Sequence, residues 1–147
     1  MKLFTLTVWV PLLLMAMTGF GQGAEKVLVK SFNLDGSQLV QLDIQGDVEV
    51  REWSNNYLRV QMTVQIENGT EALLKSLVRA GRYNLYAQST DGACRIGSPG
   101  LVKQVRIGEE ALKEHLSYVV YSPANVEIEQ SGNEAATSRA EMELLNL

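Results

Sequence analysis

One histidine, one cysteine and three prolines in 147 residues leave little material for the commonest protein chemistries. His115 alone cannot build a histidine metal cluster, and an acid–base pair would need partners that its neighbours in sequence do not supply. Cys94 has no second cysteine to bridge, which excludes a disulfide-stapled fold and leaves stability to burial and hydrogen bonding. No glycine-rich phosphate loop and no basic cluster appear. With 13 Lys and Arg against 17 Asp and Glu, the net charge of −4 disfavours phosphate backbones and anionic lipid. Nucleic acid is therefore not an expected partner, and no cofactor or metal is expected either.

The N-terminal end is the richest in information. Lys2 precedes an uncharged run from Leu3 to Met17, followed by the small-residue segment Thr18-Gly19-Phe20-Gly21-Gln22-Gly23-Ala24, the layout of a secretory signal peptide. The run is about 15 residues, short of the roughly 20 that span a bilayer, and Pro11 interrupts it. Residues 1–23 are expected to be a cleaved signal, with maturation within Gln22 to Glu25, no membrane span afterwards and no cysteine to carry a lipid. The expected address is exported: periplasm, cell surface or medium. Loss of Lys2 leaves a mature charge of −5.

Residues 24–129 read as a single β-rich domain, since about 120 residues hold one modest core. Leu58, Val60, Met62, Val64 and Ile66 alternate with Tyr57, Arg59, Gln61, Thr63 and Gln65, the pattern of a half-buried strand from Tyr57 to Glu67. Further strands are expected over Val27–Leu34, Leu39–Ile44, Val48–Trp53, Tyr83–Ser89, Ala93–Ile96, Val102–Ile107, Leu116–Tyr121 and Val126–Glu129. Gly46-Asp47 predicts a tight turn, and Thr90-Asp91-Gly92 a hairpin. Thr70 can cap a three-turn helix over about 70–81, with Leu73, Leu74, Leu77 and Val78 on one face and Gly81 as its stop. The expected fold is mainly β: a small two-layer sandwich or short β-solenoid of antiparallel-rich short strands, with the helix packed on the sheet. Residues 130–147 read as a flexible or partly helical tail.

The reactive residues each have a plain structural reading. His115 falls opposite Leu116 and Tyr118, on the wet side of its strand, and Cys94 reads as a small buried hydrophobe. Asp43, Asp47, Glu49 and Glu52 match no calcium loop and no glycosidase pair in a cleft. Asn68-Gly69-Thr70 fits a glycosylation acceptor but also a turn before a helix cap. Aromatic residues offer more. Trp53, Tyr57, Tyr83, Tyr86, Tyr118 and Tyr121 lie in or beside strands, and Tyr83/Tyr86 and Tyr118/Tyr121 have opposite parity, so one ring of each pair faces out. Trp53, Tyr57 and Tyr86 are the candidate contact residues.

The stretch Leu42-Asp43-Ile44-Gln45-Gly46-Asp47-Val48-Glu49-Val50-Arg51-Glu52-Trp53, followed by Leu58-Arg59-Val60-Gln61-Met62, resembles the opening of the putative-adhesin family of secreted bacterial β proteins. That family includes the head-domain auto-transporter adhesin-like proteins of the Bacteroidetes. The resemblance implies an exported β-solenoid or sandwich with no catalytic residues to carry over, and this chain lacks the successive rungs of longer solenoids. The function expected on these grounds is a secreted or envelope-associated, non-enzymatic binding or structural module. Such a module would recognise a protein or glycan through a sheet face or edge, with Val126–Glu129 as the natural edge and edge-strand pairing as a route to a homo-oligomer. The alternative is a periplasmic small-ligand carrier with an apolar cavity between two sheets.

Overall fold

The computed structural model describes residues 23–131. The expected signal segment, apart from Gly23, and the expected tail beyond Ser131 lie outside the described residues. Within them the chain forms β1 (Ala24–Asn33), β2 (Leu39–Asp43), β3 (Asp47–Trp53), β4 (Tyr57–Ile66), α1 (Glu71–Arg79), β5 (Tyr86–Thr90), β6 (Ala93–Gly97), a 3-10 turn (Pro99–Val102), β7 (Arg106–Ile107), β8 (Glu110–Ala111), β9 (Glu114–Pro123) and β10 (Glu127–Gln130).

Two four-stranded sheets face each other. The first, sheet A, has the order β1-β4-β9-β3, and the second, sheet B, the order β10-β2-β6-β5; β7 and β8 form a separate ribbon. The alternating apolar residues of β4 place that strand inside sheet A, antiparallel to both β1 and β9, with Leu58, Val60, Met62, Val64 and Ile66 turned into the core. Sheet B answers with Val40 and Leu42 from β2 and Cys94 and Ile96 from β6, all fully enclosed. Burying each large aliphatic side chain contributes roughly 1.5–3 kcal/mol, so this double layer is the main source of stability. Among the described residues, clefts open beside Ile44, Ser98, Leu101 and Leu116 (about 440 Å³), over Gln41, Gln88 and Arg95 of sheet B (about 270 Å³), and beside Leu28, Val60, Met62, Val78 and Leu85 (about 170 Å³).

The sheets are more mixed than the antiparallel-rich expectation. Three pairings are parallel: β3 with β9, β10 with β2, and β2 with β6. The cause lies in two corners. Gly46, at φ +125°, sits so close to the Leu116 carbonyl that a side chain there would collide with it, and the chain leaves sheet B and enters sheet A within three residues. The tight turn expected at Gly46-Asp47 is therefore an inter-sheet corner. Pro123 and Val126 make the return corner through a Val126 N–H to Pro123 carbonyl bond of 3.2 Å. Corner-linked strands then stack in parallel as in a solenoid, while β1, β4 and β5 complete the layers as in a sandwich.

Local signals hold well elsewhere. Asp91 and Gly92 both take positive φ, 51° and 80°, and Thr90 pairs directly with Ala93, so β5 and β6 are joined by a two-residue type I′ turn. Thr70 Oγ1 accepts from the Leu73 N–H at 3.2 Å, Leu74 is enclosed, and Gly81 at φ +80° ends the helix. The expected strand Val102–Ile107 survives only at Arg106–Ile107. Ahead of it Pro99 opens a 3-10 turn, and the carbonyls of Gly100 and Lys103 accept from Arg82 Nη1 at 3.1 and 2.7 Å, which removes them from any ladder. The expected strand from Tyr83 begins only at Tyr86, because Tyr83 and Leu85 are packed inside the link from α1.

The two rims of the sandwich differ. On one, α1 packs beside β1 and Lys30 Nζ donates to the Leu85 carbonyl at 2.5 Å, closing the gap towards β5. On the other, β3 and β10 carry no covering element among the described residues.

Candidate binding face

Side chains of sheet A that alternate with the core residues form its outer face. Register sets Arg51, Tyr121 and Arg59 in one row across β3, β9 and β4. Trp53, at the end of β3, and Tyr57, at the start of β4, close on this row from the rim. The Trp53 ring lies 4.7 Å from Tyr57 at an interplanar angle of 73° and 5.4 Å from Tyr121 at 36°. Its indole Nε1 donates to the Tyr57 carbonyl at 3.0 Å, so the orientation of the ring is fixed by a bond as well as by packing. The Arg51 guanidinium stands 6.0 Å from the Tyr121 ring centre, while its Nε donates to Glu49 at 2.8 Å and holds that carboxyl below its ordinary range. Arg59 Nε is enclosed and meets no hydrogen-bond partner among the described residues. Val27 and Val29, both about half exposed, extend the face onto β1.

Of the three expected contact residues, the structure brings Trp53 and Tyr57 together and leaves Tyr86 elsewhere. Tyr86 is 56% exposed on β5, at the edge of sheet B, with Lys30 Nζ 5.3 Å from its ring centre. Tyr121 takes the third place in the cluster. Parity carried that information, since Tyr83 and Tyr118 are the inward members of their pairs and Tyr86 and Tyr121 the outward ones.

The reactive residues are placed as follows. His115 is exposed, with Nε2 2.5 Å from Glu67 Oε1. Cys94 is enclosed on all sides, and burial pushes its thiol pKa up. Asp43 pairs with Arg95 at 3.0 Å and Glu49 with Arg51 at 2.8 Å, so two of the four acidic residues stand in surface ion pairs. No group of three or more His, Cys, Asp or Glu is gathered as for a metal among the described residues. Asn68 uses its amide to hold the β8 end, donating to the Ala111 carbonyl at 3.0 Å and accepting from the Lys113 N–H at 2.9 Å. The expected edge Val126–Glu129 is β10, at the rim of sheet B.

One polar cluster was not visible in the sequence. Arg82 and Glu114, whose side chains are 8% and 12% exposed, form a forked pair at 2.8 and 2.5 Å, and Tyr83 Oη donates to the same carboxylate at 2.5 Å. Burial alone would raise the Glu114 pKa; the bonds from Arg82 and Tyr83 outweigh it and hold the carboxyl below its ordinary range. Every oxygen is engaged. The cluster is a clamp that ties the end of α1 and the 3-10 turn to β9.

The chain matches no family model and no curated protein. Among solved structures, a putative cell adhesion protein from Clostridium sporogenes is similar over 73% of this chain and 46% of that one, with 11% identity and a TM-score of 0.40. The chain thus spans less than half the length of that protein. A likeness at this level assigns no residue and no role.

Proposed function

We infer that this chain is an exported, non-enzymatic, adhesin-like binding module that recognises a macromolecule with the outer face of sheet A. The observation that carries the reading is the half-buried cluster of Trp53, Tyr57 and Tyr121 on that face, bounded by Arg51 and Arg59. Aromatic rings with fixed orientation offer large contact area at little entropic cost, and adjacent guanidinium groups add directional donors for hydroxyl or carboxylate groups of a glycan or protein. The groups that would serve catalysis are otherwise engaged: the thiol is enclosed, the buried carboxylate is saturated, and the histidine stands on open surface with Glu67.

The test is binding of the purified chain to arrayed envelope glycans and to envelope proteins of the producing organism, compared with the Trp53→Ala/Tyr121→Ala variant. A ligand bound by the first and lost, or weakened by roughly tenfold or more, in the second supports face recognition. Equal binding by both proteins, with matched thermal melts, overturns it.

A further inference from the structure

We propose that β3 is a self-recognition edge, through which two copies of this chain pair antiparallel about a two-fold axis centred on Val50. Four strands end the two sheets, and they are not equally open. β1 and β5 share the rim closed by α1 and by the Lys30 bond to Leu85. β10 is four residues long and presents Glu127 and Glu129. Centred on its one apolar residue, Ile128, self-pairing would set those two carboxylates against each other. β3 is seven residues long, contains no Pro or Lys to guard it, and exposes 46% of Val50 at the rim.

The charges of β3 then select the register. A two-fold normal to the sheet returns each face to itself, so opposed residues have the same parity and the axis passes through a residue, not between two. Centring on Glu49 opposes two carboxylates, and centring on Arg51 opposes two guanidinium groups. Centring on Val50 opposes Val50 to itself and Glu49 of each copy to Arg51 of the other. Both groups are more than half exposed and now bond within one strand at 2.8 Å, so the same four charges can form a cross-strand network without leaving solvent. The partner is thus defined by complementarity as a second copy of this chain.

The product is one continuous eight-stranded sheet, β1-β4-β9-β3 followed by its mirror order. Growth stops there, because each copy has already used its open edge in sheet A and its far rim is covered. The pairing stands independently of the binding function, but it sets both aromatic clusters on the same side. The two Trp53 residues lie at opposite ends of the paired strands, roughly 20 Å apart along them.

Charge reversal tests the register. The full exported chain is measured by sedimentation velocity over a concentration series, with native mass spectrometry to count copies. Wild type is expected to show a monomer–dimer equilibrium. Glu49→Arg and Arg51→Glu each oppose like charges and should weaken self-association by roughly tenfold. Mixed in equal amounts, the two variants restore opposite charges at both positions and should form a heterodimer as readily as wild type dimerises. The double variant should also self-associate as wild type does. Val50→Lys, which leaves the charge pairs in place, breaks the apolar centre and guards against a charge variant that fails to fold. A monomer at all concentrations up to about 1 mM, single variants that dimerise like wild type, or a mixture that stays monomeric would each overturn the proposal.

Discussion

Glu114→Gln removes one charge from the Arg82 clamp while keeping the shape of the side chain, and its cost follows from what the carboxylate holds. Two bonds from Arg82 and one from Tyr83 converge on it, and the pair is almost wholly enclosed. Removing one partner of a buried pair costs about 3–5 kcal/mol, mostly because the other charge is left uncompensated. The Gln carbonyl can still accept one bond, worth about 1 kcal/mol, so the expected loss is about 2–4 kcal/mol at neutral pH. The pH dependence has a definite sign. The folded state holds the Glu114 pKa below its ordinary value of 4.5, so the stabilisation is complete above that value and is lost as pH falls through the lower, folded one. Urea unfolding of both proteins, followed by circular dichroism from about pH 7 down to about pH 3, should show the gap between them closing in acid. A neutral-pH cost below about 1 kcal/mol, or a cost that does not change with pH, would refute the clamp as described.

Two further substitutions probe the core and the corner. Tyr118 is 2% exposed and its hydroxyl meets no partner among the described residues, and burial pushes its pKa up to about 12. Tyr118→Phe should therefore raise stability by about 1 kcal/mol in a urea melt, where loss of a satisfied hydroxyl would lower it. Gly46→Ala should cost about 3 kcal/mol, because the residue combines φ +125° with contact against the Leu116 carbonyl; a melt within about 0.5 kcal/mol of wild type would show that the corner is not constrained.

Much of the local structure was legible because it rests on short-range physics. The period-two pattern of residues 57–66 specifies β4, Thr70 and Gly81 bracket the helix, and Asp91-Gly92 specifies its hairpin. Which strands become neighbours was not legible. β2 and β10 pair across some 88 positions, as in the Leu39–Glu127 match, and no local residue announces that. The same limit applies to the site. Parity set one ring of the Tyr118/Tyr121 pair outward but could not place Tyr121 between Arg51 and Arg59, because that row depends on β9 inserting between β3 and β4. It also could not separate Tyr86 from Trp53, since sheet membership decides that. Residues 102–107 misled for a related reason: their apolar pattern suits a strand, yet Val102 ends the 3-10 turn that Pro99 opens, and the Lys103 carbonyl accepts from Arg82, 21 residues ahead of it.

The asymmetry of the two rims connects these observations. A solenoid grows by adding parallel rungs to an open end, and the corners at Gly46 and Pro123 supply rung geometry here. On the side of β1 that growth is stopped by α1, whose three half-buried apolar residues, Leu73, Leu77 and Val78, are spent on the closed rim. On the side of β10 it is discouraged by Glu127 and Glu129. Only β3 keeps an edge that is long and self-complementary, and it is also the strand that carries Trp53 and Arg51 into the aromatic face. Occupying that edge with a second copy consumes the remaining open strand while leaving the outward side chains of Trp53 and Tyr121 uncovered. Edge pairing engages the β3 backbone with Glu49 and Arg51, and face binding engages the rings of Trp53, Tyr57 and Tyr121, so Arg51 is the group the two share. A bivalent ligand that spans the two clusters should bind the dimer more tightly than the Val50→Lys monomer, with the contacts at each cluster unchanged.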